Sequence, residues 1–246
     1  MYDFYSLGPN EYYISRDTNH IADYEDNYWT GITDPDGCQR NQVVERDQHL
    51  GDIKQELEFI NSLSPGRLLD IGCGLGFLLS GVNAGWLKMG VEISSFATKH
   101  ARKWGQIFEG DLEYARFPND HFDLVVMHHV IEHIENPTKI IKEVYRILKC
   151  GGSLIVGTPD FDSGCARRFG ANYRLLHDQT HISLFSSDSM HRFLRDHHFH
   201  IDTVEYPFFE TRFFAKEMLL RLFNTDHVSP PFYGNFMTFY CHKRND

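Results

Sequence analysis

The chain has 246 residues, enough for one large α/β domain or a domain with a substantial insertion, and its 41% hydrophobic and 14% aromatic content is ample for a folded core. Its formal charge is −10 and its Lys and Arg are scattered, which argues against nucleic acid as the partner, because phosphate neutralisation needs clustered cations. Five cysteines without CxxC spacing, no basic-then-apolar leader in Met1–Asn10 and no apolar stretch of membrane-spanning length predict a cytoplasmic protein with free thiols and no membrane span.

Residues 1–40 are rich in Tyr, Asp and Asn and poorly periodic, which predicts an irregular arm or short helices. From Asn41 to Leu63 the apolar residues Val43, Val44, Leu50, Ile53, Leu57 and Ile60 recur at helical spacing, and Ser64-Pro65-Gly66 ends the helix. Strands and helices then alternate. Leu68–Ile71, Lys88–Ile93, Gln106–Glu109, Phe122–Met127 and Ser153–Gly157 read as strands. Phe77–Ala84, Ser94–Trp104 and an amphipathic run opened by Asn136-Pro137 and stopped by Cys150-Gly151-Gly152 read as helices. Such alternation implies right-handed crossovers and a parallel sheet with helices on both faces. Beyond Thr158-Pro159 the pattern loosens. Ser187–Asp196 reads as a helix, Ile201–Glu205 and Phe236–Cys241 as strands, and an aromatic-rich helical insertion lies at about 207–233, where it completes the core, caps a substrate or forms a dimer contact.

The densest signal is Arg67-Leu68-Leu69-Asp70-Ile71-Gly72-Cys73-Gly74-Leu75-Gly76-Phe77: an apolar strand with an acid near its end, three glycines at alternate positions, and a helix start. Backbone without Cβ atoms can approach a small molecule closely. Glu92, at the end of the next strand, is placed to accept from both hydroxyls of a ribose. A third glycine at position 77 would complete a dinucleotide fingerprint, but that residue is Phe.

This arrangement resembles class I S-adenosylmethionine-dependent methyltransferases of the small-molecule type, such as those of quinone biosynthesis. The likeness is specific from Arg67 to Gly157 and weaker to about Val204. It implies a Rossmann-like, doubly wound, mostly parallel seven-stranded sheet with an antiparallel last strand, and S-adenosyl-L-methionine as cofactor. It also implies cofactor contacts from Asp70, Gly72, Cys73, Gly74, Gly76, Glu92 and Ile93. Asp70 would accept from loop N–H groups or meet the cofactor's ammonium. Asp111 and Leu112 would meet the adenine, and the backbone of His128 the methionine end.

For catalysis the candidates are His129, His133 and His181. His129 and His133 are four apart and share a face if their segment is helical. That spacing also suits a metal pair, but no HExxH and no clear third ligand accompany it, so no metal is expected. His181 stands in the stretch His181-Ile182-Ser183-Leu184-Phe185-Ser186, which also resembles the family; it is either a base or substrate-orienting residue, or a loop histidine that fixes local structure. Tyr12, Tyr13, Tyr28 and Trp29 of the arm either fold over the cofactor as a lid or pack the arm onto a methyltransferase domain spanning 41–246. The expected activity is methyl transfer to an oxygen, or less readily a nitrogen, of a small organic acceptor. The alternatives are a nicotinamide-dependent oxidoreductase and a non-catalytic cofactor-binding regulator.

Overall fold

The computed structural model of the protein describes residues 2–17, 24, 26–33, 39–206, 220–231 and 235–244. Its centre is a seven-stranded sheet formed by β1 (Arg67–Ile71), β2 (Leu87–Glu92), β3 (Gln106–Glu109), β4 (Phe122–His128), β5 (Leu148–Pro159), β6 (Phe199–Glu205) and β7 (Phe236–Lys243). The strand order is β3-β2-β1-β4-β5-β7-β6. β1 to β5 pair in parallel, and β7 runs antiparallel to both β5 and β6. The doubly wound sheet expected from the sequence is present, with its switch point between β1 and β4, where open α/β sheets bind ligands.

Strand alternation builds two cores. Leu69, Ile71, Val125, Met127, Leu154 and Val156 pack on one face, and Leu68, Leu124, Val126 and Ile155 on the other. Helix α7 (Pro137–Ile147) covers the first face with Ile141, Val144 and Ile147, all fully buried. Each such side chain contributes roughly 1.5–3 kcal/mol of burial. Pro137 sits in its first turn, and Asn136 caps it by accepting from the Lys139 N–H. Helix α8 (Gly164–Phe169) follows β5, and α9 (Ser187–Asp196) joins the same core through Met190, Phe193 and Leu194 and begins in a reciprocal Ser186/Ser189 cap. The opposite face is covered by α3 (Lys54–Ser62) through Ile60 and by Leu78 and Leu79 of α4 (Phe77–Gly81).

Several boundaries differ from the sequence pattern. The helix expected over 41–63 is a 3-10 turn at Gln42–Val44 followed by α2 (Arg46–Asp52) and α3, with a break at Ile53. Val44 is exposed, so the apolar spacing there does not report a buried stripe. β5 begins at Leu148 rather than Ser153: Leu148 pairs with Phe122, and the register shifts before Leu124 meets Ser153, so the glycines of 149–152 form an irregularity within the ladder. The second strand ends at Glu92, and Ile93 lies outside it, 59% exposed. Helix α5 (Ser95–Ala101) is shorter than expected, capped by Ser94 and ended before Trp104. Most of the aromatic insertion, including Phe208, Phe209, Phe213 and Phe214, lies outside the described residues.

Candidate active site

The glycine loop is held by β2. Gly72 and Cys73 donate their N–H groups to Val91 O (2.8 and 3.2 Å), and Gly76 donates to Cys73 O (2.8 Å). Gly74 donates to Glu92 Oε2 and Ser94 N–H to Glu92 Oε1, both at 2.8 Å. Glu92 thus splints the loop to the start of α5, leaving each oxygen further acceptor capacity. Of the two roles expected for Asp70, one is to accept from the loop N–H groups and the other to meet the cofactor's ammonium. The first is corrected: the loop folds toward β2, and Val91, Cys73 and Glu92 take those donors.

Gly72 and Gly76 have φ of +66° and +76°. A Cβ on Gly72 would lie 2.5 Å from Val130 Cγ2, and one on Gly76 2.9 Å from Ala101 Cα. Both positions therefore need glycine on two counts. Cys73 is buried, its thiol pushed up by burial and then by the charges of Asp70 and Glu92. Asp70 is buried beside Glu92; burial first and then that charge raise its carboxyl to about 8, so it is protonated at neutral pH. Burial also raises Glu92, partly offset by the Ser94 and Gly74 N–H groups.

The remaining cofactor candidates line the same strand ends. Asp111 caps the short helix α6 (Leu112–Ala115) by accepting from Tyr114 N–H at 3.0 Å, and Leu112 is buried below it. His128 ends β4. A Cβ on Gly157 would lie 2.8 Å from its Nδ1, so the ring is accommodated by a glycine on the neighbouring strand. Its Nδ1 is 3.8 Å from Glu56 Oε1, and burial holds the ring well below the usual histidine range.

The arm divides. Ile14–Ser15 pairs with Ser183–Leu184; Tyr12 packs on Phe193 and donates to Asp196 Oδ2 (3.1 Å), and Tyr13 packs on Phe185. Trp29, in the short helix α1 (Asp26–Thr30), is instead buried against the glycine loop: a Cβ on Gly74 would come within 3.1 Å of its ring. Its Nε1–H is shared between Tyr24 O (2.8 Å) and Ser94 Oγ (3.1 Å), and Ser94 Oγ–H donates to Tyr24 O (2.6 Å). Tyr24, not singled out from sequence, hydrogen-bonds Thr180 and feels the charges of Asp178, Glu92 and Glu132; burial first and then Asp178 raise its phenol to about 12.

Beyond β4 the chain turns sharply. His129 has φ +55°, a left-handed conformation that costs a non-glycine residue about 1–2 kcal/mol. Ile131–His133 forms a 3-10 turn. His129 and His133 consequently do not share an α-helical face. His129 Nδ1–H donates to Glu132 Oε1 (3.2 Å), and its ring packs on Phe236. His133 Nδ1–H donates to Thr180 O (3.0 Å), and its ring lies 4.9 Å from that of His181. His181 Nδ1–H donates to Leu175 O (2.6 Å), and its Nε2 is 3.7 Å from Asp178 Oδ2. Fully buried Glu132 also accepts from Thr158 Oγ1 (3.0 Å). Burial alone would raise Glu132, but the His129 hydrogen bond and the neighbouring His133 and His181 outweigh it and hold the carboxyl at about 2. The Glu132-His133 pair also resembles the family, where it often supports the site, but the part of Thr158 is not visible in the sequence, because it comes from another strand end.

The sheet's carboxyl edge therefore carries a backbone cradle at β1–β2 and a cluster of polar side chains beyond β4 and β5. Comparison with known proteins gives the family to which this architecture belongs. A methyltransferase-domain family model matches residues 44–204. An uncharacterized protein of Methanocaldococcus jannaschii is 38% identical over 112 residues, covering 45% of this chain and 53% of that protein. The ubiquinone biosynthesis O-methyltransferase of Vibrio cholerae is 31% identical over 111 residues, covering 42% of this chain and 45% of that enzyme. The chain thus spans about half the length of these relatives. A crystal structure described as a possible histamine N-methyltransferase from Thermotoga maritima superposes with a TM-score of 0.61 at 24% identity, covering 82% of this chain and 92% of the other. Among the described residues no helix is long and apolar enough to cross a membrane. The chain belongs to the class I family of S-adenosylmethionine-dependent methyltransferases.

Proposed function

We propose that the protein transfers a methyl group from S-adenosyl-L-methionine to an oxygen of a small organic acceptor, with nitrogen as the less favoured target. The observation that carries this reading is the Glu92 splint: one buried carboxylate ties the glycine loop to α5 and retains acceptor capacity for a sugar diol. The cradle fits the cofactor. Glycines 72, 74 and 76 present backbone, Ile93 offers an exposed apolar side chain at the mouth, and Asp111 retains an oxygen beyond its capping bond. Asp70 is a buried carboxyl with no hydrogen bond among the described residues, suited to a ligand ammonium that would draw it back toward ionisation.

When bound, the cofactor supplies an activated methyl group. The chain's own contributions are alignment and exclusion of water, and alignment alone supplies several kcal/mol in favourable cases. Trp29 and Tyr24 cover the loop and act as the lid, whereas Tyr12 anchors the arm to α9 and Tyr13 packs on Phe185 just before it. His129, His133 and His181 form the polar wall on the acceptor side, and Glu132 positions His129. A hydroxyl acceptor must lose a proton, and these imidazoles are the groups that deal with it.

A methyl-labelled cofactor incubated with hydroxyl- and amine-bearing metabolites tests the reading. Label transfer to a hydroxyl oxygen supports it, and transfer to nitrogen moves the acceptor class. Intact binding of S-adenosylhomocysteine with no transfer to any acceptor favours a non-catalytic regulator. Stabilisation by NAD alone would support the nicotinamide alternative.

A further inference from the structure

Glu132, His133 and His181 come from two segments nearly fifty residues apart, yet one imidazole nitrogen from each histidine and one Glu132 oxygen lie within 4.8 Å of one another. A carbonyl oxygen can only accept. The bonds to Thr180 O and Leu175 O therefore place a proton of His133 and of His181 on Nδ1, so Nε2 is the nitrogen of each ring that can offer a lone pair. Metal-bound histidines are oriented in this way, by donating the second ring nitrogen's proton to a carbonyl or carboxylate. Glu132 is fixed in place by its own partners, His129 at Oε1 (3.2 Å) and Thr158 at Oε2 (3.0 Å). Asp178 repeats the pattern: Oδ1 accepts from both Thr180 N–H (2.8 Å) and Thr180 Oγ1–H (2.6 Å), while Oδ2 faces His181 Nε2 at 3.7 Å. Arg16 ties this segment down by donating to Asp178 O and His181 O, both at 3.2 Å.

We propose that Glu132, His133 and His181 bind one divalent first-row transition ion, with Asp178 Oδ2 at the edge of its coordination shell. Two imidazoles with carboxylates suit zinc, nickel or iron better than magnesium or calcium, which prefer all-oxygen sites. Ligand atoms on one such ion sit about 2.0–2.2 Å from it, so closing from the present spacing moves each by less than about 1 Å. The ion would lie on the acceptor side of the proposed transfer site, where it would draw an acceptor hydroxyl toward ionisation. This function rests on the methyl-transfer reading; ion binding itself does not.

The test uses chelator-stripped full-length protein. Zn²⁺ is titrated calorimetrically, retained metal is measured after dialysis, and Co²⁺ is added to read its visible absorption. Wild type should retain about one equivalent of Zn²⁺. His133→Gln and His181→Gln should each weaken binding at least 100-fold and lose the Co²⁺ band. The exposed pair His200 and His242 flanks Asp202 elsewhere, and His200→Gln/His242→Gln should leave the tight site unchanged. Affinity for S-adenosylhomocysteine should stay within about twofold in every variant, which shows that each still folds and separates this proposal from the cofactor assignment. No retained equivalent in wild type, equal retention by the His133 and His181 variants, loss confined to the His200/His242 variant, or equally tight Mg²⁺ binding would each overturn the proposal.

Discussion

The two ends of the candidate active site are built from different materials. The β1–β2 end is a backbone device: glycines in left-handed conformations, N–H groups on β2 carbonyls, and one carboxylate binding the loop to the next helix. The end beyond β4 and β5 is a side-chain device, in which two histidines hang from loop carbonyls and a buried glutamate is held by His129 and Thr158. A backbone device tolerates almost no substitution, because its geometry is its function. A side-chain device can be retuned residue by residue, which suits the part of a methyltransferase that must meet varied acceptors.

The largest expected effects on stability are of similar size, one at each end. Gly76→Ala puts a Cβ against the Ala101 backbone and keeps a positive φ, and should cost about 2–4 kcal/mol in urea unfolding. Glu132→Ala sharpens the contrast. It leaves His129 and Thr158 without their buried acceptor and should cost about 2–4 kcal/mol at pH 7 in metal-free protein. The effect should depend on pH. The Glu132 carboxyl is depressed from 4.5 to about 2 in the folded chain, so its contribution is complete above about pH 5 and is lost as pH falls toward 2. The wild-type and variant unfolding midpoints should therefore converge in acid; a constant gap would mean that Glu132 acts only by packing. The smallest effects divide the arm. Trp29→Ala should weaken S-adenosylhomocysteine binding about tenfold, roughly 1.4 kcal/mol, mainly through faster release in stopped-flow measurements. Tyr12→Phe, which removes only the bond to Asp196, should leave that affinity unchanged. Equal effects of the two would remove the distinction between a lid and an anchor.

This division also explains what the sequence could convey. The strand–glycine–helix unit is local: Leu68–Ile71, Gly72, Gly74, Gly76 and Glu92 fall within 25 residues, and their spacing is dictated by strand geometry and left-handed turns. Strand alternation likewise encoded both faces of the sheet. The pairing of His133 with His181 is not local. It depends on where the 160–185 connection returns to the sheet edge, and no periodicity in that stretch reports it. The spacing of His129 and His133 was misleading, because it assumed a helix where the chain makes a left-handed residue and a 3-10 turn. The arm showed no periodicity, so nothing distinguished Trp29, which seals the loop, from Tyr12, which packs on α9.

Glu92 is proposed to organise the cradle for the cofactor's ribose, and calorimetry with S-adenosylhomocysteine on wild type and Glu92→Ala decides it. The variant should lose affinity at least 100-fold, about 2.7 kcal/mol, with its far-ultraviolet circular dichroism unchanged. Wild-type affinity in a folded Glu92→Ala protein would contradict it.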